Sequence, residues 1–169
     1  MAGVLITLEG GEGSGKSTQA AALYQRLLLE GKAALLVREP GGTPAGERVR
    51  ALLKAQHDDW STRGGNGETL TPVAELLLFC AARAQLVDTV LRPALEEGRV
   101  VVCDRYTAST VAYQGDGRGL PLEDVDRANR LATGGLEPDL VLLLDTPWET
   151  GRSRIEGRSD GEGRRFEEE

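Results

Sequence analysis

Apolar residues in this chain fall into short uniform runs separated by longer amphipathic stretches. Val4 to Leu8 is the first run, and it ends at Gly10-Gly11. Ala33 to Val37, Val100 to Cys103 and Leu140 to Leu144 are three more. Each has the length and composition of a buried strand. Between them the apolar period lengthens. Lys16 to Glu30 carries Ala20, Leu23, Leu27 and Leu28 at helical spacing, and Gly31 is a stop signal. Further helices are predicted over Gly46 to Leu53, Thr107 to Gln114, Glu123 to Thr133 and Pro147 to Glu156. Thr71-Pro72 predicts another helix start, with the threonine as N-cap and the proline in the first turn. That helix runs to about Leu91, where Pro93 is expected to bend or end it. Residues 41–44 and 115–119 read as loops, 54–70 as a mobile surface loop, and 157–166 as a flexible loop rich in arginine, glycine and acids.

Uniformly apolar strands separated by helices imply an α/β fold, a parallel sheet covered on both faces. Such sheets bind ligands at the carboxyl ends of their strands. Here those ends carry Glu9, Arg38-Glu39, Asp104-Arg105 and Asp145. A purely structural sheet does not need charge at every strand end.

Composition narrows the function. The 169 residues, 40% hydrophobic, suit one compact domain with its own core. A net charge of −7 and only 4% aromatics argue against nucleic-acid binding, while leaving room for a small anionic substrate at a local positive site. Lysine is scarce, with Lys16, Lys32 and Lys54 against 17 arginines. Cys80 and Cys103 lie far apart in apolar surroundings, which fits reduced thiols in the cytoplasm. The single His57 excludes a multi-histidine metal site. No apolar run is long enough for a membrane span.

The strongest local signal is Gly10 to Ser17, G-G-E-G-S-G-K-S, between a predicted strand and a predicted helix. Its glycines let backbone N–H groups surround phosphate oxygens, and the helix N-terminus adds positive partial charge. Lys16 is placed to reach the outer phosphates of ATP, and Ser17 to hold Mg²⁺. The loop specifies a nucleoside triphosphate without specifying the reaction. No N-K-x-D motif for reading guanine is present, so a small kinase is the remaining class that fits the length.

Four segments together resemble bacterial thymidylate kinases: Leu8 to Thr18, Arg38-Glu39-Pro40-Gly41-Gly42-Thr43, Leu78-Phe79-Cys80-Ala81-Ala82-Arg83, and Asp104-Arg105-Tyr106 with Ser109 and Ala112-Tyr113-Gln114. They occur in family order over most of the chain. The resemblance implies a three-layer P-loop NTPase fold over residues 1–169. It also implies phosphorylation of dTMP to dTDP with ATP and Mg²⁺, and a homodimer built through helices. It further implies that Gly10, Gly11, Glu12, Gly13, Ser14, Gly15, Lys16, Ser17 and Thr18 bind ATP, helped by Arg154. The acceptor dTMP is assigned to Glu12, Glu39, Pro40, Phe79, Arg83, Arg105, Ser109, Thr110, Tyr113 and Gln114, and Mg²⁺ to Ser17 and Asp104. Two alternatives stay open: a nucleotide-binding protein with weak turnover, or another nucleoside monophosphate kinase.

Individual roles follow from chemistry and resemblance together. Phe79 and Arg83 stand four apart on one helical face, so a base can stack on the ring while the guanidinium donates to a thymine carbonyl or to phosphate. Alone, that pair is more often a core phenylalanine beside a solvated arginine; the accompanying motifs reverse that balance. The fork of Arg105 suits the acceptor phosphate. The resemblance places Thr110 and Gln114 at the base edge and Tyr113 near the sugar 2′ carbon. Glu12, an acid inside the phosphate loop, is implied to accept from the acceptor's 3′-hydroxyl. No arginine lies in that loop, whereas Arg154, Arg158, Arg164 and Arg165 crowd the final stretch. That pattern resembles the branch of the family whose lid loop supplies the catalytic arginine, and the resemblance implies a lid at about 152–166, with Arg158 the first choice, Arg154 the second, and Arg165 positioning the lid. The family's fifth strand is expected beyond Glu169, leaving the fourth as an exposed edge.

Overall fold

A computed structural model describes residues 3–58 and 70–157. Among these residues, four strands form one parallel sheet: β1 (Val4–Glu9), β2 (Ala34–Arg38), β3 (Val100–Asp104) and β4 (Leu140–Leu143), in the order β2-β3-β1-β4. Register aligns their carboxyl ends. Leu8 pairs with Asp104, Arg38 with Asp104, and Glu9 with Leu143. The charged strand ends therefore share one rim of the sheet, where the parallel arrangement puts its binding site.

Alternation along β3 divides the core into two layers. Val101 and Cys103 face a cluster with Leu5, Val37, Leu86, Val87, Leu91, Ala94 and Tyr106. Val102 faces the other side, with Leu8 and Ala20, against which Leu23, Leu27 and Leu144 pack. The helix α1 (Lys16–Leu29) covers this second face. Opposite it lie α3 (Pro72–Leu86), a π-helical stretch over Val87–Leu91, and α4 (Arg92–Glu96). Leu86, Val87 and Leu91 are fully buried, each burial contributing roughly 1.5–3 kcal/mol.

The helix from Pro72 begins as expected, with Thr71 accepting from the Ala74 amide at 3.4 Å. Its end differs from the expectation. The chain neither stops nor breaks at Pro93 but stays helical to Glu96. The backbone widens first, and Arg92 N–H reaches the Val87 carbonyl five residues back. A wide turn gives room for a proline that lacks the N–H and crowds the preceding turn. Similarly, α5 (Thr107–Thr110) passes into a second π-helical stretch, Val111–Gly117, so that of the loop expected at 115–119 only Arg118 and Gly119 form a turn. The helix α2 spans Pro44–Asp58, starting earlier and ending later than predicted. Thr43 caps it, its hydroxyl accepting from Gly46 N at 2.9 Å. Residues 54–58 are thus helical rather than loop, and the rest of that predicted loop, with 158–166 of the other, lies outside the described residues.

α6 (Leu122–Thr133) ends at Gly134, in the left-handed region with φ 55°. α7 (Trp148–Glu156) follows β4. Among the described residues β4 is an edge of the sheet, its leucines and valine 37–69% exposed. No helix among the described residues is long and apolar enough to cross a membrane.

Candidate active site

Between β1 and α1 the chain wraps around its own lysine. Gly10, Gly13 and Gly15 adopt φ values of 140°, 67° and 97°, which only glycine reaches without strain. Lys16, 5% exposed, opens α1 and donates from Nζ to the Gly10 carbonyl at 2.8 Å, to the Gly11 carbonyl, and to Ser14 Oγ at 3.3 Å. A buried ammonium is thus held in the mouth of the loop, at the positive end of a helix.

Two bonds tie this loop to the neighbouring strand. Ser17 Oγ donates to Asp104 Oδ2 at 2.5 Å, and Arg105 N donates to the Leu8 carbonyl at 3.0 Å. Asp104 Oδ1 is buried without a hydrogen-bond partner. An unused carboxylate oxygen beside a hydroxyl suits a hard cation with oxygen ligands. The two residues assigned to Mg²⁺ are therefore adjacent and chemically fit for it. Among the described residues no cluster of three or more His, Cys, Asp or Glu could hold a metal by itself, so a bound ion would keep most of its ligands from water and phosphate.

Arg105 follows with a left-handed backbone, φ 70°. Its Nη1 donates to Ser109 Oγ at 3.3 Å and to the Tyr113 hydroxyl at 3.4 Å, and its guanidinium lies 5.3 Å from the centroid of the Tyr113 ring. Glu9, read from the sequence only as a charged strand end, organises this corner. Its Oε1 accepts from Tyr106 N at 2.8 Å and its Oε2 from Ser109 Oγ at 2.6 Å.

Arg83 is among the largest fully buried side chains of the described residues, at 2% exposure. Its Nε donates to Glu39 Oε2 at 2.8 Å, Nη1 to Asn129 Oδ1 at 2.5 Å, and Nη2 to Thr110 Oγ1 at 2.9 Å and to the Tyr106 carbonyl at 3.2 Å. The residue is thus not a solvated arginine but the hub of a buried network, and these bonds use four of its five N–H donors. Burial pushes the Glu39 carboxyl above the usual range despite the guanidinium beside it. Burial alone would weaken the charge on Arg83, but Glu39 more than compensates. Glu39 Oε1 is buried without a hydrogen-bond partner. A cis peptide joins Glu39 to the buried Pro40, whose carbonyl accepts from Arg50 Nη1 at 3.1 Å.

Glu75, Phe79 and Arg83 stand four apart along α3, with Phe79 half-buried. Thr110 and Gln114 are both buried. Gln114 Nε2 donates to Glu75 Oε1 at 2.6 Å, and Arg118 Nη2 lies 3.2 Å from Glu75 Oε2. Sequence reasoning missed Glu75, Arg118 and Asn129 as parts of this wall. No local motif marks them; their partners are 39 to 46 residues away.

On the donor side, α7 sits directly on the phosphate loop. A side chain at Gly151 would meet the Glu12 carbonyl at 2.6 Å, and one at Gly13 the Gly151 carbonyl at 2.2 Å. Arg154 Nη1 donates to the Gly13 carbonyl at 3.1 Å. An open groove lies beside it, lined among others by Gly15, Thr18, Gln19, Leu142, Asp145 and Arg154. Glu12 stays close enough to Arg105 to favour the arginine's charge. Arg158, Arg164 and Arg165 lie outside the described residues.

Comparison with known proteins converges on one family. The family model described as Thymidylate kinase matches residues 8–169. A thymidylate kinase from Synechococcus sp. is 52% identical over 164 residues, 97% of this chain and 74% of the relative. One from Geobacter sp. is 47% identical over 171 residues, 99% of this chain and 72% of the relative. The crystal structure of a thymidylate kinase from Ehrlichia chaffeensis superposes with a TM-score of 0.74 at 34% identity, covering 92% of this chain and 83% of that one.

Proposed function

The chain belongs to the thymidylate kinase family, and from that membership we infer that it transfers the terminal phosphoryl group of ATP to dTMP, giving dTDP and ADP. The observation that best supports a reaction at this rim is the Ser17–Asp104 hydrogen bond, which ties the phosphate loop to the strand that presents Arg105. Donor and acceptor sites then share one rigid frame, and bringing two anions together in fixed geometry is most of what phosphoryl transfer asks of a protein.

Each side has its own task. Backbone N–H groups of residues 10–17, the α1 N-terminus and Lys16 cradle the donor phosphates. Ser17 and Asp104 would hold Mg²⁺, which when bound neutralises charge on the donor's outer phosphates. Arg105 grips the acceptor phosphate, steadied by Ser109 and Tyr113. Glu12 accepts from the 3′-hydroxyl of the acceptor sugar. Phe79 stacks on the base, and Glu39, Pro40, Arg83, Thr110 and Gln114 form the wall around it. Late positive charge on the transferring group comes from the lid, with Arg158 in first place and Arg154 behind it. The buried free thiols of Cys80 and Cys103 suit a cytoplasmic setting.

The test is a substrate panel. With ATP and Mg²⁺, kcat/KM for dTMP should exceed that for AMP, CMP or GMP by at least ~100-fold, as expected of a site built from buried hydrogen-bonding groups. Comparable values for AMP and dTMP would overturn the assignment, and failure to release ADP with any acceptor would leave only a binding protein.

We also propose a homodimer through α3. Leu76 and Leu86 are buried within the subunit, whereas Val73 and Leu77, 53% and 57% exposed, continue with the exposed Ala81 as a stripe at four-residue spacing. Light scattering at tens of micromolar should give twice the 18.1 kDa of the chain. A single species at the monomer mass would refute this.

A further inference from the structure

An amide side chain can recognise a ligand in two opposite senses. Rotated by half a turn, a glutamine offers a donor where it had offered an acceptor. A glutamine that must discriminate between bases therefore needs something to fix its rotation. Gln114 has such a device. Its Nε2 donates to Glu75 Oε1 at 2.6 Å, with both side chains buried. An ionised carboxylate only accepts, so the amide cannot turn its oxygen toward Glu75 without placing two acceptors in contact. Arg118 supplies the countercharge, its Nη2 donating to Oε2 at 3.2 Å and its Nε to Oε1 at 3.4 Å. Anchors also hold the neighbouring wall: Thr110, four residues before Gln114, accepts from Arg83.

We propose that Glu75 is a positioning residue for base specificity: it locks the Gln114 amide so that its carbonyl oxygen is the group offered to the acceptor base. This rests on the reading that Gln114 lies at the base edge of the dTMP site. A fixed carbonyl accepts from the N3–H of thymine. It repels the unprotonated N3 of 5-methylcytosine, a base of nearly the same shape whose ring nitrogen is an acceptor. Glu75 thus selects the keto-imide pattern without touching the nucleotide.

Glu75→Gln tests the lock while keeping the size of the side chain. The new amide can donate or accept, so Gln114 becomes free to turn. The ratio of kcat/KM for dTMP to that for 5-methyl-dCMP should fall at least ~10-fold, the scale of one hydrogen bond reversed in a buried site. The loss should appear mainly as a higher KM for dTMP. In a Gln114→Leu background the same Glu75→Gln change should leave the ratio unmoved. A purely structural role for Glu75 predicts that both substrates suffer equally and the ratio holds in either background; that result overturns the proposal. If the variant does not fold, the wild-type protein still decides. One side-chain amide proton of Gln114 should exchange slowly with solvent by NMR, and rapid exchange of both would overturn the lock. Failure of the wild-type protein to phosphorylate dTMP would instead remove the reading on which the proposal rests.

Discussion

Lys16→Ala is expected to lower kcat/KM with ATP by at least ~100-fold, the scale of losing one preorganised charged donor from a water-poor site. The ammonium is buried and wired to the Gly10 and Gly11 carbonyls and to Ser14 Oγ. Two losses therefore coincide. The donor phosphates lose their cation, and the carbonyls that held it lose a shared donor, so the loop loses its preset shape. Dissection is straightforward, because the acceptor phosphate is assigned to Arg105 and the donor phosphates to Lys16. Calorimetric binding of dTMP without ATP should survive the change. Turnover close to wild type would show that the loop is not the phosphate site. Loss of dTMP binding alongside turnover would show damage reaching past it.

Arg83→Met should cost stability rather than only affinity. The Arg83–Glu39 pair has side-chain exposures of 2% and 4%, and removing one partner of such a pair typically costs about 3–5 kcal/mol because a buried charge is left alone. That is a large share of the ~5–15 kcal/mol that keeps a domain folded. Urea unfolding reads it directly. Replacing both partners, Arg83→Met with Glu39→Gln, should recover part of the loss. The pH dependence has a definite sign. Burial raises the Glu39 carboxyl above its ordinary value, and without Arg83 nothing opposes that shift. The folded state then binds a proton more tightly than the unfolded chain does, so stability rises as pH falls through the raised value. The deficit of Arg83→Met should therefore shrink from neutral toward mildly acidic pH. A deficit below 1 kcal/mol, or one that grows on acidification, would contradict this account.

Both effects were partly visible in the linear sequence, for different reasons. The phosphate loop is local. Eight consecutive residues carry the glycines, the lysine and the hydroxyl, and strand and helix flank them, so Lys16 could be placed before any fold was known. The Arg83 hub is not local. The four-residue spacing put Phe79 and Arg83 on one face, but nothing along the chain announces that Asn129 and Glu39 will close around the guanidinium. Glu9 was noticed at a strand end, yet its two acceptor bonds depend on β3 lying beside β1. Helix ends show a mixed outcome. The same Thr-Pro signal opens α2 at Thr43-Pro44 and α3 at Thr71-Pro72. Only the second is distinct in the sequence, because Gly41 and Gly42 make the first read as part of a loop. The two π-helical stretches escaped because an apolar pattern distinguishes helix from strand more readily than one helix width from another. Residues 115–119 carry three glycines, the usual mark of a turn. Gly115 is nevertheless buried, where a side chain would meet Leu122 Cδ2 at 2.7 Å.

The left-handed backbone of Arg105 sets two kinds of selection against each other. At φ 70° a side chain with a β-carbon carries a conformational cost of roughly 1–2 kcal/mol that glycine would escape. Screens that reward heat resistance alone should therefore favour glycine or asparagine at this position and discard the guanidinium with the strain. On the reading that Arg105 grips the acceptor phosphate, lineages held to the reaction should instead keep the arginine and recover the stability elsewhere, in the sheet or in the Arg83 network. For anyone improving this protein, position 105 is one to exclude from a thermostability library, and its occupant reports which pressure a population has been under.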